Sequence, residues 1–439
     1  MMRKILKKLL CSSLIILLLL PGFTIKAEYK QEIDYANFIL VNLDTGQILL
    51  QRYADEHVAV ASLTKIMTVI VVLERNPDLQ QKVKFTAAMF TGLKAADASI
   101  AGFKVGEEAT IEDLLYGAML PSGADATRAL AFHIAGSEEA FALMMNEKAS
   151  ELGMKDSNYA NSSGLDNPQQ YSCAYDQYLL LAYAIKNPTF LKILKTSEYT
   201  TADGKHKFSD SFRQAMIKNN QDASFILGAK TGYESAAGVC LASVVDEKGD
   251  RLLFIGLGNR LNRQEARKFQ NELDIYSYYI KNYDLMTLYS ATDELYTFKP
   301  EYTVKKSVTI SFGKDFRYYL PHDFQRDDME LIITDQKVVS YKTEKGELIA
   351  RYMIYYQGEI IDRGNIYLPE ALATNFILLF LQYSTKNPLF VIASLLISIL
   401  VLSSILLRRL RGPRYYEDED DDELSEQESE LTEPTAEIV

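Results

Sequence analysis

The segment PLFVIASLLISILVLSSILL (Pro388–Leu407) runs for twenty residues without a charged side chain. A helix advances about 1.5 Å per residue, so a run of this length covers the roughly 30 Å of hydrocarbon in a bilayer. A transmembrane helix over 388–407 is the expectation. Arg408, Arg409, Arg411 and Arg414 follow at once, and basic flanks of this kind stay on the cytoplasmic side. The body of the chain then lies outside the cell membrane.

The N-terminus carries the matching export pattern. Arg3, Lys4, Lys7 and Lys8 precede an apolar run from Leu9 to Leu20, closed by Pro21–Gly22. Ala27 is the expected last residue of a cleaved signal peptide, 1–27. An uncleaved anchor is the alternative, and the run is short for a span. Beyond Arg414, YYEDEDDDELSEQESELTEPTAEIV contains twelve Asp and Glu and no Lys or Arg, equal to the whole formal net charge of −12. Such a tail, 408–439, cannot bury a core and is expected to stay disordered in the cytoplasm. The remainder is charge-balanced, and no nucleic-acid partner is expected.

Only Cys11, Cys173 and Cys240 are present, and Cys11 leaves with the signal peptide. A disulfide-built scaffold is excluded, and two buried free thiols are expected. The four histidines (His57, His133, His206, His322) fall in no metal-ligand spacing. That argues against a zinc hydrolase, and no metal site is assigned.

Between the ends, periodicity separates two compositions. NFILVNLDTGQILLQRYAD (Asn37–Asp55) alternates around LDTG as a hairpin does, and a helix should follow from about Ser62. Apolar positions recur at helical spacing from Ile111 to Leu152. Short β-rich runs broken by glycine begin at Phe225, and Arg263–Asp284 reads as an amphipathic helix. These elements make one α/β unit, 28–288. From Tyr296 the chain is rich in Val, Ile, Tyr and Thr with charged turns, a small all-β domain over 289–370. Residues 371–387 are apolar but too short to span; they form either an interfacial juxtamembrane segment or a last buried helix of the β domain.

Ser62 and Lys65 stand at i and i+3, so on a helix they project from one face about a turn apart. A serine hydroxyl becomes a nucleophile when a neighbouring base takes its proton, and a lysine serves once burial and a second cation lower its pKa. Ile66, Val69 and Ile70 supply part of that desolvation. A second copy of the spacing, Ser311–Lys314, has Gly313 inside it and no helix around it. Lys230–Thr231–Gly232 falls on a predicted strand, with Lys230 and Gly232 on one face and Thr231 on the other. Between these lies LPSGADATRA (Leu120–Ala129), where Pro-Ser-Gly breaks a helical region and is expected to expose Ser122.

This order of motifs resembles the penicillin-binding protein and serine β-lactamase superfamily. More closely it resembles the low-molecular-mass D-alanyl-D-alanine carboxypeptidases, through ASLTKIMT (Ala61–Thr68), NSSGLDN (Asn161–Asn167), YSCAYD (Tyr171–Asp176) and KTGYESAAGVC (Lys230–Cys240). The resemblance implies an α/β (α+β) transpeptidase-like catalytic domain, an antiparallel sheet flanked by helices. It also implies Ser62 as nucleophile, Lys65 as general base and Ser122 as proton relay to the leaving D-alanine. Lys230 and Thr231 would hold the terminal carboxylate, with Gly232 allowing close approach of the substrate. The backbone N–H groups of Ser62 and Tyr233 would form the oxyanion hole, and Arg263 would assist with the carboxylate. No cofactor is implied; the implied partners are the peptidoglycan stem peptide and β-lactam inhibitors.

One position departs from the family pattern. Its middle motif is usually Ser-x-Asn, and here it is Ser122–Gly123–Ala124. Ala124 removes a polar partner of the lysine, so reduced or altered activity is expected rather than a dead site. A β-lactamase on the same scaffold and a catalytically weak wall-binding protein are the competing readings.

Overall fold

The LDTG stretch turns as its residues dictate. Asn42 Oδ1 accepts from the backbone N–H groups of Asp44 and Thr45 at 3.0 and 3.1 Å, and Gly46 takes the positive φ of 73° that closes the turn. Strand β1 (Tyr35–Asn42) thereby pairs antiparallel with β2 (Ile48–Arg52). The structure, a computed structural model, describes residues 29–75, 77–247, 249–259, 261 and 269–410. The expected signal peptide, Arg263 and the acidic residues from 411 onward lie outside them.

Two short ribbons follow, β3 (Lys82–Lys84) with β4 (Glu108–Thr110) and β5 (Glu198–Thr200) with β6 (Lys207–Ser209). Strands β7 (Ile226–Glu234), β8 (Gly238–Glu247) and β9 (Asp250–Asn259) complete a five-stranded antiparallel sheet in the order β2-β1-β9-β8-β7. Period-two alternation loads both faces of that sheet. Ile39, Val41, Cys240, Ala242, Val244, Leu253 and Ile255 join one core, while Phe38, Leu40, Leu241, Val245, Leu252 and Phe254 join the other. Residues that look uniformly apolar in sequence thus divide between two packed layers.

The first core is covered by helices: α1 (Thr64–Glu74), α2 (Ile111–Met119), α3 (Ala124–Ala135), α4 (Glu138–Glu151), α5 (Ala174–Ala184) and α6 (Pro188–Lys195). Their starts follow capping chemistry. Thr110 and Asp113 form a reciprocal capping box at α2, and Ser137 caps α4 through the Ala140 N–H at 3.1 Å. On α1 every residue from Thr64 to Leu73 is buried, so this helix runs through the interior rather than over it. Helices α7 (Ser211–Asn219) and α8 (Gln270–Asn282) contribute to the second core.

Of the amphipathic helix read over Arg263–Asp284, residues 263–268 lie outside the described residues; α8 covers Gln270–Asn282, preceded by Phe269 at a left-handed φ of 51°. It ends at Asn282, where Tyr283 turns extended and opens strand β10 (Tyr283–Tyr289). Cys173 and Cys240 are both free and buried, as expected.

The chain forms two compact units. One holds the residues to Leu295 with Ser311–Leu331 and Ile354–Ile361; the other holds Tyr296–Ile310, Ile332–Met353 and the chain from Asp362. The units interleave in sequence. Beyond β10 the β-rich segment contains β11 (Glu294–Phe298), β12 (Val308–Ser311), β13 (Phe316–Pro321), β14 (Met329–Thr334), β15 (Leu348–Tyr356) and β16 (Glu359–Tyr367). Helix α9 (Phe376–Lys386) buries none of its residues. It is followed by α10 (Pro388–Leu410), which also buries none of its residues.

Candidate active site

Ser62 lies in the middle of a single 3₁₀ turn, Ala61–Leu63, that leads into α1. Ala61 enters the turn at φ 48°, a left-handed conformation that costs a non-glycine residue about 1 kcal/mol or more. Strand β7 presses on this turn. A Cβ added to Gly232 would stand 2.9 Å from the Ser62 backbone nitrogen and 3.1 Å from Ala61 Cβ, so only glycine fits. The same geometry leaves β7 beside the Ser62 amide.

One turn on, Lys65 Nζ donates to Ser62 Oγ at 2.7 Å. The lysine is only 2% exposed. Burial holds its pKa well below the ordinary lysine range, and the nearby charge of Lys230 adds to the depression; Glu234, Asp125 and Glu138 oppose it. An amine held neutral in this way has a lone pair to offer the serine proton.

Lys65 has a second partner that its sequence neighbourhood does not announce. It donates to the backbone carbonyl of Ser163, in the Asn161–Gly164 loop. Asn161 Oδ1 shapes that loop by accepting from Ser163 N at 3.1 Å and Gly164 N at 2.7 Å. Gly164 adopts φ +82°, and a Cβ on it would fall 1.9 Å from the Ala61 carbonyl oxygen. The loop therefore packs directly on the serine turn. Ala124 is buried at the start of α3, where its backbone N–H donates to Ser99 O at 2.8 Å and its methyl offers Lys65 no acceptor.

Lys230 projects from β7 on the face predicted by alternation and donates to Ser122 Oγ at 2.8 Å. Its pKa is lowered to about 8 by burial, with Asp210 acting in the opposite sense. Ser122 is not exposed as expected: it retains 8% of its surface. The Pro-Ser-Gly turn folds inward because Ser122 takes φ 63° and its hydroxyl meets Lys230. Thr231, on the other face of the strand, pairs with Ser211 at 2.8 Å between hydroxyl oxygens. Asp210 precedes it, capping α7 through the Arg213 N–H; burial pushes its carboxyl up to about 6.

The structure thus brings Ser62, Lys65, Ser122, Lys230 and Gly232 to one end of α1, with Thr231 and Tyr233 on the adjoining strand. Arg263 lies outside the described residues. The second Ser-x-x-Lys copy ends strand β12 at Ser311, with Gly313 at φ 73°, and carries no helix. Sequence reasoning missed Ser163 and Ser211. The first acts through a backbone atom, which leaves no side-chain signature. The second had its only signal in the Asp210–Ser211 cap of a short helix.

Comparison with known proteins gives a consistent set. The family model described as D-alanyl-D-alanine carboxypeptidase, Peptidase S11, matches residues 24–260, more than half of the chain. The D-alanyl-D-alanine carboxypeptidase DacF of Bacillus subtilis is 27% identical over 370 residues, covering 81% of this chain and 92% of that protein. The D-alanyl-D-alanine carboxypeptidase of Streptomyces sp. strain K15 is 32% identical over 226 residues, 48% of this chain and 77% of that protein. Among solved structures, penicillin binding protein 5 from Haemophilus influenzae matches in fold with a TM-score of 0.64 at 23% identity, covering 79% of this chain and 99% of that one.

Proposed function

The chain belongs to the D-alanyl-D-alanine carboxypeptidase family, Peptidase S11, and from that premise we propose that it removes the terminal D-alanine from peptidoglycan stem pentapeptides through an acyl-enzyme on Ser62. The observation that carries the reading is the 2.7 Å contact between a desolvated Lys65 and Ser62 Oγ. Lys65 takes the hydroxyl proton as Ser62 Oγ attacks the carbonyl carbon between the last two D-alanines. The backbone N–H groups of Ser62 and Tyr233 receive the oxyanion. As the C–N bond breaks, Ser122 passes a proton to the departing amine, and water then releases the acyl group.

Lys230 in its protonated form holds the substrate's terminal carboxylate, assisted by the Thr231 hydroxyl and, on the same strand, the space left by Gly232. Arg263 is retained as an additional carboxylate partner. The site requires no cofactor. β-Lactams present the same acyl group and carboxylate, so they acylate Ser62 as well.

The rest of the chain serves location. Helix α10, twenty-three residues long and buried nowhere in the protein, anchors the enzyme in the cell membrane. Arg408 and Arg409 end it on the cytoplasmic side. The domains run as signal peptide 1–27, catalytic domain 28–288, all-β domain 289–370, juxtamembrane 371–387 and the cytoplasmic tail 408–439. Labelled penicillin together with a pentapeptide ending in D-Ala-D-Ala tests the assignment. Stable labelling with D-alanine release supports it, rapid drug turnover marks a β-lactamase, and neither marks a binding protein.

A further inference from the structure

We propose that Glu138 is a positioning residue for Lys65, acting through the Asn161–Gly164 loop and supplying support that Ala124 cannot give. The proposal rests on the reading of Lys65 as the base of Ser62. Glu138 sits in the first turn of α4 with its side chain 15% exposed. Its Oε1 accepts from Ser162 Oγ at 2.7 Å and Ser162 N at 3.2 Å. Its Oε2 lies 2.8 Å from Arg128 Nε on α3, and Arg128 is itself tied down by donating to the Thr91 carbonyl. The carboxylate thus meets the loop through hydrogen bonds to one oxygen, while the other is held by the charge of Arg128.

The loop passes this constraint directly to α1. Ser162 O accepts from Thr68 Oγ1 at 2.7 Å, and the next carbonyl, Ser163 O, accepts from Lys65 Nζ. Lys65 and Thr68 stand at i and i+3 on one helix face, so two successive carbonyls grip one turn. With Ser162 held on its N–H and hydroxyl side by Glu138, the Ser163 carbonyl has little freedom to swing. An amine that spends one N–H on that carbonyl is held beside Ser62 Oγ, where it can turn its lone pair to the hydroxyl proton. Ala124 lies one helical turn before Arg128 on α3. The helix that gives Lys65 no side-chain acceptor thus supports it indirectly, through Arg128, Glu138 and Ser162.

Glu138 also carries charge. The charged groups facing Lys65 are Lys230, which depresses its pKa, and Glu234, Asp125 and Glu138, which oppose the depression. Removing one of the three acidic groups should leave the amine neutral to lower pH. That separates a positioning role from mere structural support.

The experiment measures the rate constant of penicillin labelling at Ser62 against pH in the detergent-solubilised full chain, with melting temperature in parallel. Glu138→Gln keeps an oxygen for Ser162 and loses the charge, so the acid limb moves to lower pH. Glu138→Ala loses both and slows labelling of the folded protein about tenfold or more. Ser162→Ala, which retains only the backbone contact, is slowed less. If Glu138→Ala fails to fold, the other two variants decide. Variants that melt lower yet label at the wild-type rate, with an unmoved acid limb, overturn the proposal. A wild-type chain that is not labelled at Ser62 overturns the underlying functional reading instead, and this inference falls with it.

Discussion

Lys65 donates to the backbone carbonyl of Ser163 as well as to Ser62 Oγ, so the candidate base is held by a loop nearly a hundred residues further along the chain. A buried lysine needs its polar head satisfied, and an acceptor that cannot ionise satisfies it without restoring the proton. Position 124, where the family usually carries asparagine, holds alanine and offers no side-chain acceptor.

Restoring that side chain should be visible in the chemistry. Ala124→Asn adds a third acceptor close to Lys65, a net contribution of about 1 kcal/mol, or roughly fivefold in rate. The acylation rate constant is expected to rise, or the preference between penicillin and pentapeptide to change. Constants unchanged for both substrates would show that position 124 does not tune the site.

Gly164 has no tolerance for a side chain. Its φ of +82° and the 1.9 Å separation between an added Cβ and the Ala61 carbonyl both require the loop or the serine turn to move. Gly164→Ala should cost about 3 kcal/mol or more of stability. It should also abolish Ser62 labelling in the fraction that folds. Denaturant titration and labelling stoichiometry check the two halves separately.

The carboxylate grip should titrate. Lys230 is cationic below its pKa of about 8 and neutral above it, so kcat/KM for a substrate ending in a free carboxylate falls as pH rises through that value. The limb belongs to the free enzyme and fades in kcat, because a bound carboxylate stabilises the cation. A substrate whose C-terminus is amidated should lack it. An alkaline limb equally strong for both substrates would remove Lys230 from this role.

A second buried titration lies away from the site. Glu272 accepts from the Tyr35 hydroxyl on one oxygen, while its Oε2 is buried without a partner among the described residues. Burial raises its pKa to about 8, and Asp34 and Asp274 add to the rise. The folded state thus binds the proton that the unfolded chain loses near pH 4.5. Stability is full below that value, falls by about 1.4 kcal/mol per pH unit up to pH 8, and is level above it. Glu272→Gln should therefore stabilise the protein at pH 8 to 9 and not at pH 5, as read by urea unfolding at both values.

What could be read from sequence was what is local. Ser62 and Lys65 meet because i and i+3 share a helix face, and Lys230 and Gly232 share a strand face because alternation has period two. Both patterns operate within a few residues. Ser122 was misread as exposed because the turn that carries it is closed by a lysine 108 residues away. The left-handed φ of Phe269 before α8 has no glycine or proline to mark it in the sequence. The Ser163 carbonyl is a backbone atom, invisible in any pattern of side chains. Long-range contacts and backbone acceptors are thus what the structure added.

The central claim is that Ser62 becomes covalently acylated with Lys65 as its base. Mass spectrometry of the wild-type chain, Ser62→Ala and Lys65→Ala after incubation with penicillin, with D-alanine release from the pentapeptide followed in parallel, addresses both residues at once. An adduct confined to the Ser62 peptide is expected in wild type, none in Ser62→Ala, and acylation slowed at least a hundredfold in Lys65→Ala. D-alanine release persisting in Ser62→Ala would contradict that claim.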